Sequence, residues 1–170
     1  MPLKRWLAAY SPGVPAEIDP DSYPSLVALL EASFTRFAAQ PAFTNLGTTM
    51  TFAEVERLSR GFAAYLQAVP GLQAGDRVAI MLPNCLQYPI ATFGILRAGL
   101  TVVNVNPMYT ARELRHQLAD SGTTAIVVLD NFRDTVQEVL ADTQVKQVIT
   151  TGLGDMLGFP KGAIVNFVLR

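Results

Sequence analysis

Cysteine and histidine are nearly absent from this chain of 170 residues, which contains one of each, Cys85 and His116. A single cysteine excludes an internal disulfide, and no spacing of cysteine and histidine is typical of a zinc site. Lys and Arg together number 13 against 14 Asp and Glu, with no basic stripe along the chain, which argues against a nucleic-acid partner. The composition therefore predicts a protein of a reducing cytosol.

Long apolar runs are missing as well. The apolar stretch near the start is interrupted at Ser11-Pro12 after about five residues, too short for a signal peptide or a spanning helix. We expect residues 1–23 to form an extended, proline-punctuated arm. In this arm Trp6, Leu7 and Tyr10 either pack loosely or dock on a neighbouring protein or a bilayer surface. Half of the residues are apolar and 16% are charged, which indicates that much of the surface contacts other protein.

The remaining chain shows alternating strand and helix patterns. Apolar residues at helical spacing predict a helix at 24–39, followed by a short β-hairpin around residues 45–48 and a helix that opens at Thr51. Four β-branched or apolar runs then alternate with helical segments, namely 78–82, 101–105, 123–131 and 144–152. This order predicts an α/β fold, a doubly wound and mostly parallel sheet flanked by helices. We assign residues 24–151 to this α/β subdomain and 152–170 to a loop and the start of an unfinished segment.

Chemistry in such a sheet is expected beyond the carboxyl ends of the strands. The loops there are Pro83-Asn84, 106–109 and 130–133, although Asn and Asp at these positions fit ordinary turns and helix caps equally well. The glycines of residues 152–158 depart from the dinucleotide spacing, and a proline interrupts the helix that should follow them. His116 is expected on the surface, and Cys85 is expected to be a small buried side chain. The residues by themselves do not predict a self-contained enzyme.

Three stretches, "MTFAEVERLSRGFAAYLQ", "GDRVAIMLPNCLQYPIATFGILRAGLTVVNVNPMYTARELRHQLADSG" and "AIVVLDN", together resemble the amino-terminal part of the acyl-adenylate-forming superfamily. The resemblance is strongest to bacterial long-chain fatty-acid–CoA ligases and covers nearly the whole chain. It rests on the order and spacing of Leu82-Pro83-Asn84, residues 97–99, Asn106-Pro107 and the "TARELRHQL" helix.

The resemblance implies an AMP-forming ligase that uses ATP, Mg²⁺ and coenzyme A to activate a long-chain fatty acid. Met108 and Tyr109 correspond to a loop on the coenzyme A side, and Arg133 corresponds to an arginine that contacts the nucleotide end. The phosphate loop and catalytic lysine of the family lie downstream of the region covered here, so the resemblance implies an inactive fragment without catalytic or metal-binding residues. It also implies a cytoplasmic protein, with peripheral contact to the inner membrane and a homodimer through the N-terminal region as expectations.

Two other interpretations stay open from the sequence. The chain could be a noncatalytic α/β module that binds a partner through its apolar surface. It could also be half of a dinucleotide-binding oxidoreductase, which the doubly wound pattern permits and the missing glycine fingerprint disfavours.

Overall fold

The computed structural model describes residues 4–169 and contains two sheets and six α-helices in that range. The α-helices are α1 Leu26–Arg36, α2 Phe52–Ala68, α3 Gln87–Arg97, α4 Ala111–Ser121, α5 Arg133–Val139 and α6 Lys161–Val168. The strands are β1 Pro41–Asn45, β2 Thr48–Thr51, β3 Arg77–Met81, β4 Thr101–Asn104, β5 Ala125–Leu129 and β6 Gln147–Thr151. Short 3₁₀ helices occupy Arg5–Ala9, Pro20–Ser22, Asp130–Phe132 and Leu140–Asp142.

The main sheet is fully parallel, with the strand order β4-β3-β5-β6, and β1 and β2 form a separate antiparallel hairpin. The predicted α/β fold and its hairpin are therefore confirmed. Because successive side chains of a strand point to opposite faces, β3 supplies both layers of the core. Val78 and Ile80 face α2 and α3, whereas Ala79 and Met81 face α4 and α5. All four side chains are fully buried, as expected for a parallel sheet covered on both faces.

Capping boxes begin two of the helices that cover this sheet. Thr51 at the start of α2 and Thr110 at the start of α4 each accept a hydrogen bond from the backbone N–H three residues later. The carboxylates of Glu54 and Glu113 accept in return from the backbone N–H of the capping threonine. This local pairing satisfies amide groups that a helix start leaves open, and the helix start predicted at Thr51 is confirmed.

Helix α3 begins at Gln87, without a capping side chain. Pro89 is its third residue, and the missing N–H costs nothing there because the first four amides of a helix have no partner within it. The helix ends before Gly99, whose φ of +78° favours glycine. Gly99 therefore follows the C-cap residue of α3, the position where glycine commonly ends a helix.

The two ends of the chain differ from the sequence prediction. The arm is not extended throughout, because Arg5–Ala9 and Pro20–Ser22 form 3₁₀ helices. The segment after β6 contains α6 rather than an interrupted helix, since Pro160 stands at the N-cap, where its ring and missing N–H are tolerated. Residues 1–3 of the predicted arm and Arg170 of the predicted unfinished segment lie outside the described residues.

Candidate functional site

The strand order creates a switch point between β3 and β5. Helix α3 leads from β3 to β4 on one face of the sheet, and α4 leads back past β3 to β5 on the opposite face. The loops that follow β3 and β5 therefore diverge at the carboxyl edge, where open α/β sheets bind ligands. Two of the three loops selected from the sequence, after β3 and after β5, flank this switch point.

One cleft, of about 350 Å³, lies between the hairpin and the loop after β3. The amide Nδ2 of Asn45 donates a hydrogen bond of 3.0 Å to the backbone oxygen of Asn84 and so ties the hairpin to this loop. Two aromatic side chains, Phe43 and Phe93, have ring centroids 6.4 Å apart in its wall. We call this space the hairpin cleft; its lining is Phe43, Thr44, Asn45, Asn84, Cys85, Leu86, Tyr88, Pro89, Thr92 and Phe93.

Cys85 is buried at the base of the hairpin cleft, as the sequence predicted. Burial raises the pKa of its thiol, more than the backbone amides of Tyr88 and Gln87 lower it. A thiol with a raised pKa is protonated at neutral pH, and only the thiolate is a good nucleophile. Cys85 is therefore a packing residue.

A second cleft, of about 470 Å³, lies at the carboxyl ends of β5 and β6, and we call it the Arg133 cleft. Its lining is Asp130, Asn131, Arg133, Asp134, Gly152, Leu153, Asn166 and Leu169. Arg133 is the first residue of α5, and its exposed side chain forms no ion pair within residues 4–169. A free guanidinium offers a planar set of donors that suits phosphate or carboxylate oxygens.

The floor of the Arg133 cleft is fixed by hydrogen bonds between the loop after β6 and α6. Asn166 accepts from the backbone N–H of Gly154 at 2.7 Å and donates to the carboxylate of Asp155 at 2.8 Å. The same carboxylate accepts from the backbone N–H of Gly152 at 2.8 Å. A Cβ on Gly154 would lie 2.2 Å from the backbone oxygen of Gly162, so only glycine permits α6 to approach this closely. These glycines serve helix packing, in agreement with their poor match to a cofactor loop.

Met108 and Tyr109 lie in the loop after β4, on the far side of β3 from the Arg133 cleft. Asn106 shapes this loop, because its side chain accepts from the N–H of Met108 at 3.0 Å and its backbone oxygen accepts from the N–H of Tyr109 at 3.1 Å. The Met108 side chain is 78% exposed, whereas Tyr109 packs partly against the core beneath α4. Neither residue lines the Arg133 cleft.

His116 lies exposed on α4, as the sequence predicted. Across residues 4–169 there is no group of three or more His, Cys, Asp or Glu side chains that could hold a metal ion. The helices in the same range are all too short or too polar to cross a membrane.

Comparison with known proteins places the chain in a family. The sequence model described as "AMP-binding enzyme" matches residues 30–168. The chain belongs to this family.

The individual relatives agree with this assignment. A long-chain-fatty-acid–CoA ligase of Yersinia pestis is 59% identical over 167 residues, which is 98% of this chain and 30% of that protein. A long-chain-fatty-acid–CoA ligase of Bacillus subtilis is 38% identical over 161 residues. The chain thus spans about 30% of the length of the relatives that it matches.

Solved structures of ligases share the fold. A long-chain-fatty-acid–CoA ligase from Archaeoglobus fulgidus superimposes with a TM-score of 0.69 and 27% identity, over 93% of this chain and 32% of that one. A benzoate CoA ligase from Burkholderia xenovorans gives the same TM-score at 22% identity, over 83% of this chain and 28% of that one. The parallel sheet described above is therefore the arrangement found in these ligases.

The sequence interpretation missed the part of the Arg133 cleft that α6 contributes. Asn166 lies in the segment read as unfinished, so its role in the cleft floor was not predicted. The spacing of Gly154 and Gly162 is the signal that could have indicated a close contact between that loop and a helix.

Proposed function

We propose that this chain is the amino-terminal part of an AMP-forming long-chain fatty-acid–CoA ligase. The observation that carries the proposal is the 59% identity to the Yersinia pestis ligase across 98% of the chain. A match of this extent favours the ligase over a noncatalytic module. The alternative of a dinucleotide oxidoreductase lacks support, because the glycines after β6 pack α6 instead of opening a phosphate loop.

The reaction of the whole protein would have two steps. A carboxylate oxygen of the fatty acid attacks the α-phosphorus of ATP, and the bond to the β-phosphate breaks with loss of pyrophosphate. The sulfur of coenzyme A, having lost its proton, then attacks the acyl carbon, and AMP leaves with the electrons of the broken bond. Mg²⁺ would supply charge neutralisation at the phosphates. The described residues hold no cluster for Mg²⁺, so this chain would contribute the scaffold and one edge of the cleft.

The residue that we assign to coenzyme A is Arg133. Its support is an exposed guanidinium that forms no ion pair in the described part of the chain and that lines a cleft of about 470 Å³. Met108 and Tyr109 would contribute to the coenzyme A side from the loop after β4, across β3 from Arg133, with the exposed Met108 as an adaptable apolar contact.

The test for Arg133 compares two arginines in the first turns of helices, Arg133 of α5 and Arg112 of α4. The variants are made in a fusion of this chain to the part of the Yersinia pestis ligase that follows the matched region. Arg133→Ala should raise the KM for coenzyme A about tenfold or more, the equivalent of one charge-assisted hydrogen bond, with kcat little changed. Arg112→Ala should leave the KM unchanged. Equal KM values in both variants would remove Arg133 from the site.

The N-terminal arm is the region that we propose for a homodimer contact and for peripheral contact with the inner face of the membrane. Trp6 is 57% exposed and Tyr10 is 45% exposed, and no residue between 4 and 25 is buried. Removing residues 1–23 from the fusion protein should shift it from dimer to monomer in light scattering and reduce its sedimentation with anionic vesicles. A truncated protein that retains both properties would place these contacts elsewhere.

A further inference from the structure

A groove of about 500 Å³ runs between α1 and α2, and Arg97, the last residue of α3, also lines it. Helix α3 leads from β3 to β4, so Arg97 lies toward the amino ends of the parallel strands. The Arg133 cleft lies at their carboxyl ends, and the ligase reaction proposed above makes no use of this opposite edge. We call this space the Arg97 groove; its lining is Glu31, Phe34, Thr35, Ala38, Ala53, Glu56, Arg60 and Arg97.

The guanidinium of Arg97 is buried without a hydrogen bond. Its side chain is only 7% exposed, and its Nε and Nη2 atoms are buried and have no hydrogen-bond partner within residues 4–169. The ring of Phe34 covers one face of the guanidinium, with its centroid 5.4 Å from Cζ. A charged group that loses its hydration on burial is normally compensated by hydrogen bonds, so these two donors are available to an acceptor that enters the groove.

Two carboxylates lie near Arg97, and neither engages these donors. The Oε1 atom of Glu56 is 3.6 Å from Nη1 of Arg97, and it already accepts a hydrogen bond of 2.8 Å from Nε of Arg60. The Oε1 atom of Glu31 is 3.9 Å from Nη2 of Arg97, which is beyond hydrogen-bond distance. The edge formed by Nε and Nη2, which presents two parallel N–H groups, is therefore free to bind.

We propose that the Arg97 groove binds a small oxyanion, a carboxylate or a phosphate group, through the Nε and Nη2 edge of Arg97. Two parallel N–H groups of a guanidinium match two oxygens of one such group and form charge-assisted hydrogen bonds with them. The aromatic ring of Phe34 holds the guanidinium plane in place from one side, which keeps this edge directed at the ligand.

The oxyanion displaces the side chain of Glu31, because a neighbour has to move before it can reach two buried nitrogens. Phe34 is 4% exposed and belongs to the core, and Glu56 is held by Arg60. Glu31 is 56% exposed, and its carboxylate makes no hydrogen bond in the described part of the chain. Two carboxylates balance the two arginines of the groove, so moving Glu31 into solvent leaves a net positive charge for the ligand.

An NMR titration of the isotope-labelled 170-residue chain tests the inference. Inorganic phosphate and acetate are added in separate titrations at constant ionic strength, with chloride as the control for screening. The Nε–H signal of Arg97, assigned through its own backbone, should shift to saturation with phosphate, with acetate or with both, and stay in place with chloride. The oxyanion that shifts the signal identifies the ligand as a phosphate or a carboxylate.

Three variants locate the binding. Glu31→Gln should tighten it about twofold to fivefold, because a competing surface carboxylate is removed. Arg97→Lys should weaken it about tenfold or more, measured on the backbone amides of Phe34 and Thr35, since an ammonium cannot form the paired contact. Arg57→Gln removes an exposed charge of α2 that does not line the groove, and it should leave the affinity unchanged.

Three results would overturn the inference. No saturable shift with either oxyanion would show that the groove binds neither. Equal affinity in the natural sequence and in Glu31→Gln would place the anion elsewhere; since Glu31 is exposed, this variant carries the test even where Arg97→Lys does not fold. A Nε–H signal that moves in Glu31→Gln without added anion, and then ignores both oxyanions, would show that Glu31 itself is the acceptor. None of these results bears on the ligase reaction, which concerns the opposite edge of the sheet.

Discussion

The contact between α2 and α3 depends on Gly94. We predict that replacing this glycine by alanine gives a less stable protein than the same replacement at a control position. A Cβ at position 94 would lie 2.6 Å from Cδ1 of Phe62, 3.1 Å from its Cβ and 3.1 Å from the backbone oxygen of Ser59. The Phe62 ring can rotate away, but its Cβ and the Ser59 oxygen belong to the rigid part of α2. The two helices must therefore separate or tilt to accept a methyl group.

Gly61 is a matched control on α2. A Cβ there meets nothing within 4 Å, and the position is exposed. Alanine is favoured over glycine inside a helix by about 1 kcal/mol, so Gly61→Ala should raise the free energy of unfolding by up to that amount. Gly94→Ala gains the same helix propensity, but overpacking should lower its free energy of unfolding by about 1–3 kcal/mol. The two variants should therefore differ by about 1–3 kcal/mol, with Gly94→Ala the less stable.

The assay is urea unfolding of the 170-residue chain at 25 °C, with thermal unfolding as a second reading. For a chain of this size, 1 kcal/mol corresponds to a shift in Tm of about 2–4 °C. The Phe62→Ala background should recover part of the Gly94→Ala cost, since it removes the nearest of the three contacts. Equal stabilisation by both glycine replacements, or no recovery in the double variant, would refute the close packing of α2 on α3.

Further predictions concern α6 and the helix caps. Gly162→Ala should loosen the packing of α6, because its Cβ would lie 2.3 Å from the backbone oxygen of Gly154. Trypsin should then cleave after Lys161 faster than it does in the Gly61→Ala variant. Equal cleavage rates would contradict the contact. Thr110→Ala should lower the free energy of unfolding by about 1 kcal/mol through loss of the N-cap, and an unchanged urea midpoint would contradict it. The amide hydrogen bonds from Thr51 and Thr110 lower the pKa values of Glu54 and Glu113. A lowered carboxyl pKa stabilises the fold above the usual value of 4.5 and loses this effect as the pH falls through the folded-state pKa. The free energy of unfolding should therefore fall more steeply with decreasing pH in the natural sequence than in the double variant Glu54→Gln/Glu113→Gln. Parallel curves would show that these two carboxylates do not contribute to acid unfolding.

Local interactions explain which parts of the fold were predictable from the sequence. The capping boxes at Thr51 and Thr110 involve residues three positions apart, so the pattern and the structure coincide. The strands were found from their β-branched runs, with ends displaced by up to three residues, for example residues 144–152 predicted against Gln147–Thr151 observed. The helical segment predicted between the third and fourth strand runs is short, because 3₁₀ turns precede and follow Arg133–Val139.

Contacts between distant segments explain what the sequence did not predict. The order β4-β3-β5-β6 depends on which crossover lies on which face, and no single segment encodes that choice. Helix α6 is held by Asn166 and the contact of Gly154 with Gly162, all of which require the loop and the helix to be placed together first. For the same reason, the sequence predicted the loop at residues 130–133 as a place for a ligand. It did not predict that the loop after β6 and α6 would complete a cleft there.

The central claim is that this chain supplies the amino-terminal scaffold of a long-chain fatty-acid–CoA ligase. The most direct measurement is release of AMP by the fusion of this chain to the part of the Yersinia pestis ligase that follows the matched region. The account predicts AMP release that requires both a long-chain fatty acid and coenzyme A, at a rate close to that of the natural Yersinia pestis ligase, and none from the 170-residue chain alone. A folded fusion protein that releases no AMP with any fatty acid, or a 170-residue chain that catalyses ATP–pyrophosphate exchange by itself, would contradict it.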